Sequence, residues 1–138
     1  MKKTKLVVEY DFDFVLVGIT TSLKAYKLAW ELNQKLAIHL VKKESIVVGF
    51  KGIEKAFASH IHQTPRRFIR LLTNKLQDTD GKYLLAPEYP HFDYLIVIQD
   101  AEQSFAENIL NAVRQIPSVE LAAFIPLETL KTKENFIF

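Results

Sequence analysis

Hydrophobic positions along this chain change spacing several times, and each change marks an element. Residues 6–10 and 14–19 are apolar runs of strand length, separated by Asp11-Phe12-Asp13, where the acids predict a turn or bulge. From 23 to 36 the period lengthens. Ala25, Leu28, Ala29, Leu32 and Leu36 share one helical stripe, with Lys24, Lys27, Glu31, Gln34 and Lys35 opposite. Thr20, Thr21 and Ser22 offer hydroxyls to cap that helix. Tyr26 and Trp30, one turn apart, widen its apolar face enough for one edge to touch something besides the core.

Further along, 38–41 and 46–50 read as two strands joined by a solvated turn at Lys42-Lys43-Glu44-Ser45. Residues 53–62 fit both periods, with Ile53, Phe57 and Ile61 at helical spacing but Phe57, Ser59 and Ile61 alternating; strand neighbours on both sides favour a strand. After the break at Thr64-Pro65, residues 66–73 alternate, with Phe68, Arg70 and Leu72 on one face and Ile69, Leu71 and Thr73 on the other. A polar loop, 74–81, ends in the turn pair Asp80-Gly81, and Tyr83-Leu84-Leu85 reads as the returning strand of a hairpin. Pro87 and Pro90 then hold an extended connection that leads into an apolar strand at 93–99. Asp100 and Gln103 suit the capping of a helix over 101–115, Pro117-Ser118 ends it, and 119–125 is a last strand before a short turn at 126–130. The apolar end Phe136-Ile137-Phe138 is expected to pack on the body.

Two strand–helix–strand units flanking a run of strands predict an α+β fold. The expectation is one domain, 1–138, built on a mostly antiparallel sheet with both helices on one face, in ferredoxin-like order with a central β-meander. Hydrophobic residues at 49% and charged residues at 25% are globular proportions. The balance of 18 basic and 16 acidic residues does not mark a nucleic-acid binder, so nucleic acid is not an expected partner. With no cysteine, disulfides and thiol chemistry are excluded. No run approaches the ~18 apolar residues of a membrane helix, and a cytoplasmic protein without a membrane partner is expected.

The proline segment, with Pro87, Glu88, Asp93 and Tyr94, resembles the I-P-E-x-x-x-V-D-Y motif for which an uncharacterised bacterial family is named. Ala86 and Phe92 stand in place of its isoleucine and valine. The likeness extends to Asp11-Phe12-Asp13-Phe14 through Gly18-Ile19, to 26–33, to Thr73-Asn74-Lys75, and to 131–136, so it covers most of the chain. The resemblance implies a single cytoplasmic domain, mainly from Bacteroidota, and no assigned reaction.

Three constellations carry possible chemistry. Asp11, Asp13, Glu88 and Asp93 can hold a hard cation or divide acid and base roles, although acids beside turns more often bind backbone. Glu88, Asp93 and Tyr94 form the candidate motif, and a carboxylate site at Glu88 and Asp93 is the enzyme reading. His60 and His62 share a face in a strand, but no third ligand stands at informative spacing, and neither a metal nor a cofactor is expected. Arg66, Arg67 and Arg70, interleaved with Phe68, form the one basic cluster and suit an anion, a small metabolite or single-stranded RNA. No nucleophile elbow or phosphate-cradling glycine loop is present. The leading expectation is a non-enzymatic protein-interaction or regulatory domain that contacts itself as a homodimer, or another protein, using surplus apolar residues such as Leu23, Trp30 and Phe138.

Overall fold

A computed structural model describes residues 14–76, 83–100, 102 and 104–131. The strands expected at 6–10, the acids Asp11 and Asp13, the Asp80-Gly81 turn, Gln103 and the apolar end 136–138 lie outside the described residues. The fold is α+β. Strands β1 (Val15–Thr21), β2 (Val41–Phe50), β3 (Ile53–Thr64), β4 (Arg67–Thr73), β5 (Tyr94–Asp100) and β6 (Val119–Ile125) form one antiparallel sheet in the order β2-β3-β4-β5-β1-β6. Four consecutive strands therefore meander, and β1 is inserted between β5 and β6. Helix α1 (Ala25–Leu36) follows β1, and α2 (Ser104–Arg114) joins β5 to β6.

Alternation along the strands divides the apolar side chains into two clusters. One joins Leu28, Ala29 and Leu32 of α1 and Ile109, Leu110 and Val113 of α2 to Val17, Ile19, Ile69, Leu71, Tyr94, Ile96 and Ile98. The other joins Leu16, Phe57, Leu72, Leu95, Val97 and Ile125 to Leu85, Ala86, Phe92 and Leu130 from the connecting segments. β5 is buried on both faces from Tyr94 to Ile98, which accounts for its unbroken apolar sequence. The buried residues of α1, Leu28, Ala29 and Leu32, lie on the stripe that the 3.6-residue period marks.

Several expectations are corrected. Residues 41–50 form one strand rather than parts of two, because a bulge between Lys43 and Ile46 absorbs the polar Glu44-Ser45 while β3 supplies a continuous partner. The turn lies instead at Lys51 (φ 50°) and Gly52 (φ 89°), a pair of left-handed residues that closes a two-residue hairpin. Tyr83-Leu84-Leu85 is not a strand: β3 and β5 occupy both edges of β4, leaving only an isolated bridge between Lys75 and Leu84. The ambiguous 53–62 segment lies within β3. α1 starts at Ala25, two residues later than the pattern suggests, because the Thr21 hydroxyl takes the Leu23 N–H at 3.2 Å and holds the chain out of the helix there. Likewise α2 starts at Ser104, with Asp100 Oδ1 accepting the Glu102 N–H at 2.6 Å ahead of it. Among the described residues no helix is long and apolar enough to cross a membrane.

Candidate functional site

The segment from Leu85 to Tyr94 is tied to β1, to Leu23, to the residues just past β4 and to the turn after β6, and one buried side chain organises it. Asn74, just past β4, is fully buried. Its Nδ2 donates to the carbonyls of Phe92 (2.8 Å) and Tyr89 (3.2 Å), and its Oδ1 accepts the Ala86 N–H (2.7 Å). Its backbone continues the pattern, with Asn74 N–H donating to Asp93 O and Leu85 N–H donating to Asn74 O, both at 2.9 Å. A segment with two prolines has few donors of its own for a ladder, so a side-chain amide serves as its template.

Asp93 and Tyr94 fasten the other end. The Asp93 N–H donates to Ile19 O at 2.8 Å, and its Oδ2 accepts the Thr21 N–H at 3.0 Å where β1 ends. Its Oδ1 stands 3.9 Å from Lys75 Nζ, a long contact between two half-buried side chains. The Tyr94 hydroxyl donates to Leu23 O at 2.6 Å, so the start of α1 is tied to the start of β5. Burial, and then the Asp93 charge, push that phenol up to about 12. Glu88 Oε2 accepts the Lys131 N–H, and the Tyr89 hydroxyl shares a hydrogen bond with Thr129 Oγ1 at 2.6 Å. The candidate motif thus ties down backbone at Thr21 of β1, at Leu23 ahead of α1 and at Lys131 after β6.

The arginines do not form one cluster. Arg67 and Arg70 are three apart on β4 and project to opposite faces. Arg67 pairs with the Asp100 carboxylate, and its guanidinium carbon lies 3.3 Å from the Phe105 ring centroid. Although burial acts to raise it, the Asp100 carboxyl is held below its ordinary range by the Glu102 N–H and by Arg67. Arg70 Nε donates to the fully buried Ser59 Oγ at 2.8 Å, and burial lowers its guanidinium from the ordinary value. Arg66 is exposed at the turn before β4. A cavity of about 350 Å³ is lined by Gln63, Arg66, Arg67, Phe68, Gln99 and Asp100, and it carries two guanidiniums and one carboxylate.

His60 and His62 share a face of β3, as the alternation implies, but their surroundings differ. His62 Nδ1 accepts the His39 N–H at 3.0 Å. His60 is buried, and among the described residues its Nδ1 has no hydrogen-bond partner; burial, and then Lys42 across the β2–β3 pair, lower its pKa from the ordinary imidazole value. Among the described residues no group of three or more His, Asp or Glu side chains is placed to hold a metal ion.

No protein-family profile matches the chain, and no curated protein matches it. Two features escaped the sequence reading. Asn74 looks like one more polar loop residue, and only its place in the Thr73-Asn74-Lys75 motif set it apart. Asp100 looks like a helix cap, whereas one of its oxygens also engages an arginine from β4.

Proposed function

We propose that this chain is a non-enzymatic protein-interaction or regulatory domain of the cytoplasm, acting through contact with a second copy of itself or with another protein. The observation that carries the reading is the outer face of α1, where Tyr26 is 69% exposed and Trp30 is 52% exposed. Large aromatics are the residues most enriched at contact centres, and water is a poor environment for two of them side by side. Lys27 Nζ sits 4.6 Å from the Trp30 ring centroid, which leaves the rest of the aromatic surface open. The use of Glu88, Asp93 and Tyr94 as backbone ties supports the non-enzymatic half of the reading.

The likeness to the I-P-E-x-x-x-V-D-Y family fits this role, since the motif residues act as a joint that shapes the domain. A ferredoxin-like order with both helices on one face is our reading of the arrangement. Its support is the placement of β1 between β5 and β6 and the shared core cluster of α1 and α2. In-cell cross-linking of the tagged chain tests the functional reading. Discrete adducts above the monomer mass are expected, and a monomer band alone at full cross-linker dose would sink it.

A second reading, binding of an anion or small metabolite, rests on the cavity beside Arg66 and Arg67. Asp100 already neutralises Arg67, feels the charge of Arg66 as well and would repel an incoming anion, while Arg70 faces elsewhere, which leaves this reading with less support than the first. Calorimetry with inorganic phosphate, for the parent and for Arg66→Ala, separates it from the first.

A further inference from the structure

The β2–β3 hairpin outruns its neighbour. β4 pairs with β3 only from Ser59 to Thr64, whereas β2 follows β3 to the closing pair Phe50–Ile53. Among the described residues β2 pairs with no other strand. Sheet edges are usually blunted by lysines and bulges. β2 has both, at Lys42, Lys43 and the bulge that follows, but only in its first half. The second half, 46–50, has neither. There Val47 is 58% exposed, and a Cβ on Gly49 would meet nothing within 4 Å.

The turn decides which backbone groups that edge offers. Positive φ at both Lys51 and Gly52 makes it a type I′ hairpin, whose closing pair is the hydrogen-bonded one. Alternation then aims the N–H and C=O of Val47 and Gly49 away from β3.

We propose that residues 46–50 of β2 pair antiparallel with the same residues of a second copy, about a twofold axis at Val48. The proposal rests on the interaction reading above and names the second copy as the contacted chain. In a continuous sheet, opposed residues must point to the same face. Centring on Val48 satisfies this and sets Val47 against the partner's Gly49, so the two outward-facing residues exchange hydrogen bonds and the exposed valine crosses a position without a side chain. On the other face Ile46 meets the partner's Phe50, a β-branched–aromatic pair of the kind that stabilises sheets. Phe50 already stands 5.1 Å from Tyr83 and 6.1 Å from Phe57, centroid to centroid, so the second core cluster would continue across the axis. The same register brings the partner's Lys51 beside Ser45 and the acid Glu44, while Lys42 and Lys43 fall past the partner's turn. Centring on Val47 would instead oppose two exposed valines and draw the bulge into the ladder. Self-complementarity in shape and charge therefore selects one register, as a twofold contact requires.

The test is light scattering on the purified full chain across a concentration series. A dimer that dissociates on dilution is expected, and Val47→Lys should weaken it at least about tenfold while leaving the circular dichroism unchanged. Because the chain has no cysteine, Val48→Cys gives a clean second measurement. Opposed residues at a non-hydrogen-bonded site have Cα atoms about 4.5 Å apart, within disulfide reach, so oxidation should link two copies, whereas Ile53→Cys should not link them. A chain monomeric at every concentration overturns the proposal, and so does a dimer that survives Val47→Lys and leaves Val48→Cys reduced. In-cell adducts that persist while the purified chain stays monomeric would overturn self-pairing and keep the interaction reading. Their loss in Val47→Lys would assign the edge to a strand from another protein.

Discussion

The ring of Phe92 occupies the space into which a side chain at Gly18 would project. A Cβ built on Gly18 would lie 2.3 Å from Phe92 Cδ2 and 2.6 Å from Cγ. Phe92 is buried, and Gly18 is paired on both sides, with Leu95 and Ala123, so neither can step aside. Gly18→Ala should lower the unfolding free energy in urea by about 1–3 kcal/mol through overpacking. Adding Phe92→Leu should cost less in that background than in the parent. Equal costs in the two backgrounds would show that the ring does not set the requirement for glycine.

Asn74 is the most demanding polar residue of the core. Asn74→Leu keeps much of the volume and strands the Phe92 and Tyr89 carbonyls and the Ala86 N–H. A loss of about 2–4 kcal/mol is expected, since buried groups left unpaired cost about 1–3 kcal/mol each before relaxation. Hydrogen exchange should show it first at Ala86. An Asn74→Leu protein as stable as the parent would mean that the loop does not depend on this amide.

Tyr94 links stability to high pH. Its phenol titrates at about 12 in the folded protein, above the ordinary 10, so the native state favours the protonated form. The contribution is whole below about pH 10 and is lost as pH rises from there through about 12. Absorbance at 295 nm should show a phenol step at about pH 12, and Tyr94→Phe should remove that step. The variant should also lose about 0.5–1.5 kcal/mol near neutrality with the bond to Leu23 O.

His60 links stability to mild acid. Its native pKa lies below the ordinary value, so the unfolded chain takes up the proton first. Stability from the neutral imidazole is complete above about pH 6.5 and is lost as pH falls through the native pKa. Urea midpoints measured between pH 7.5 and 5 should fall further for the parent than for His60→Leu, which cancels the titration of the other three histidines. Parallel curves would remove His60 as the cause.

Much of the architecture was readable because single periods dominate single elements. The stripe Leu28, Ala29, Leu32 and the run Leu95–Ile98 each admit one interpretation. Residues 44–45 misled because a polar dipeptide inside a strand looks like a turn until a bulge is known to hold it. Tyr83–Leu85 misled because local sequence does not show that both edges of β4 are already taken. At the candidate site, the period of two separates Arg67 from Arg70, so their dispersal was implicit in the alternation. The engagement of Arg67 by Asp100 depends on a pairing between strands about thirty residues apart. The Pro87–Tyr94 segment read as a stiff connection, and its ties to β1 and α1 give that stiffness a purpose. Glu88 turned out to hold the backbone at Lys131.

The insertion of β1 between β5 and β6 imposes a timetable on synthesis. β3, β4 and β5 can each pair with the strand just made, but Thr21 waits for Ser118, 97 positions later. Until α2 and β6 leave the ribosome, Leu16, Val17 and Ile19 have only part of their eventual cover, in a nascent chain whose other half is already assembling. The first described strand thus gains its second partner only when the last one is made.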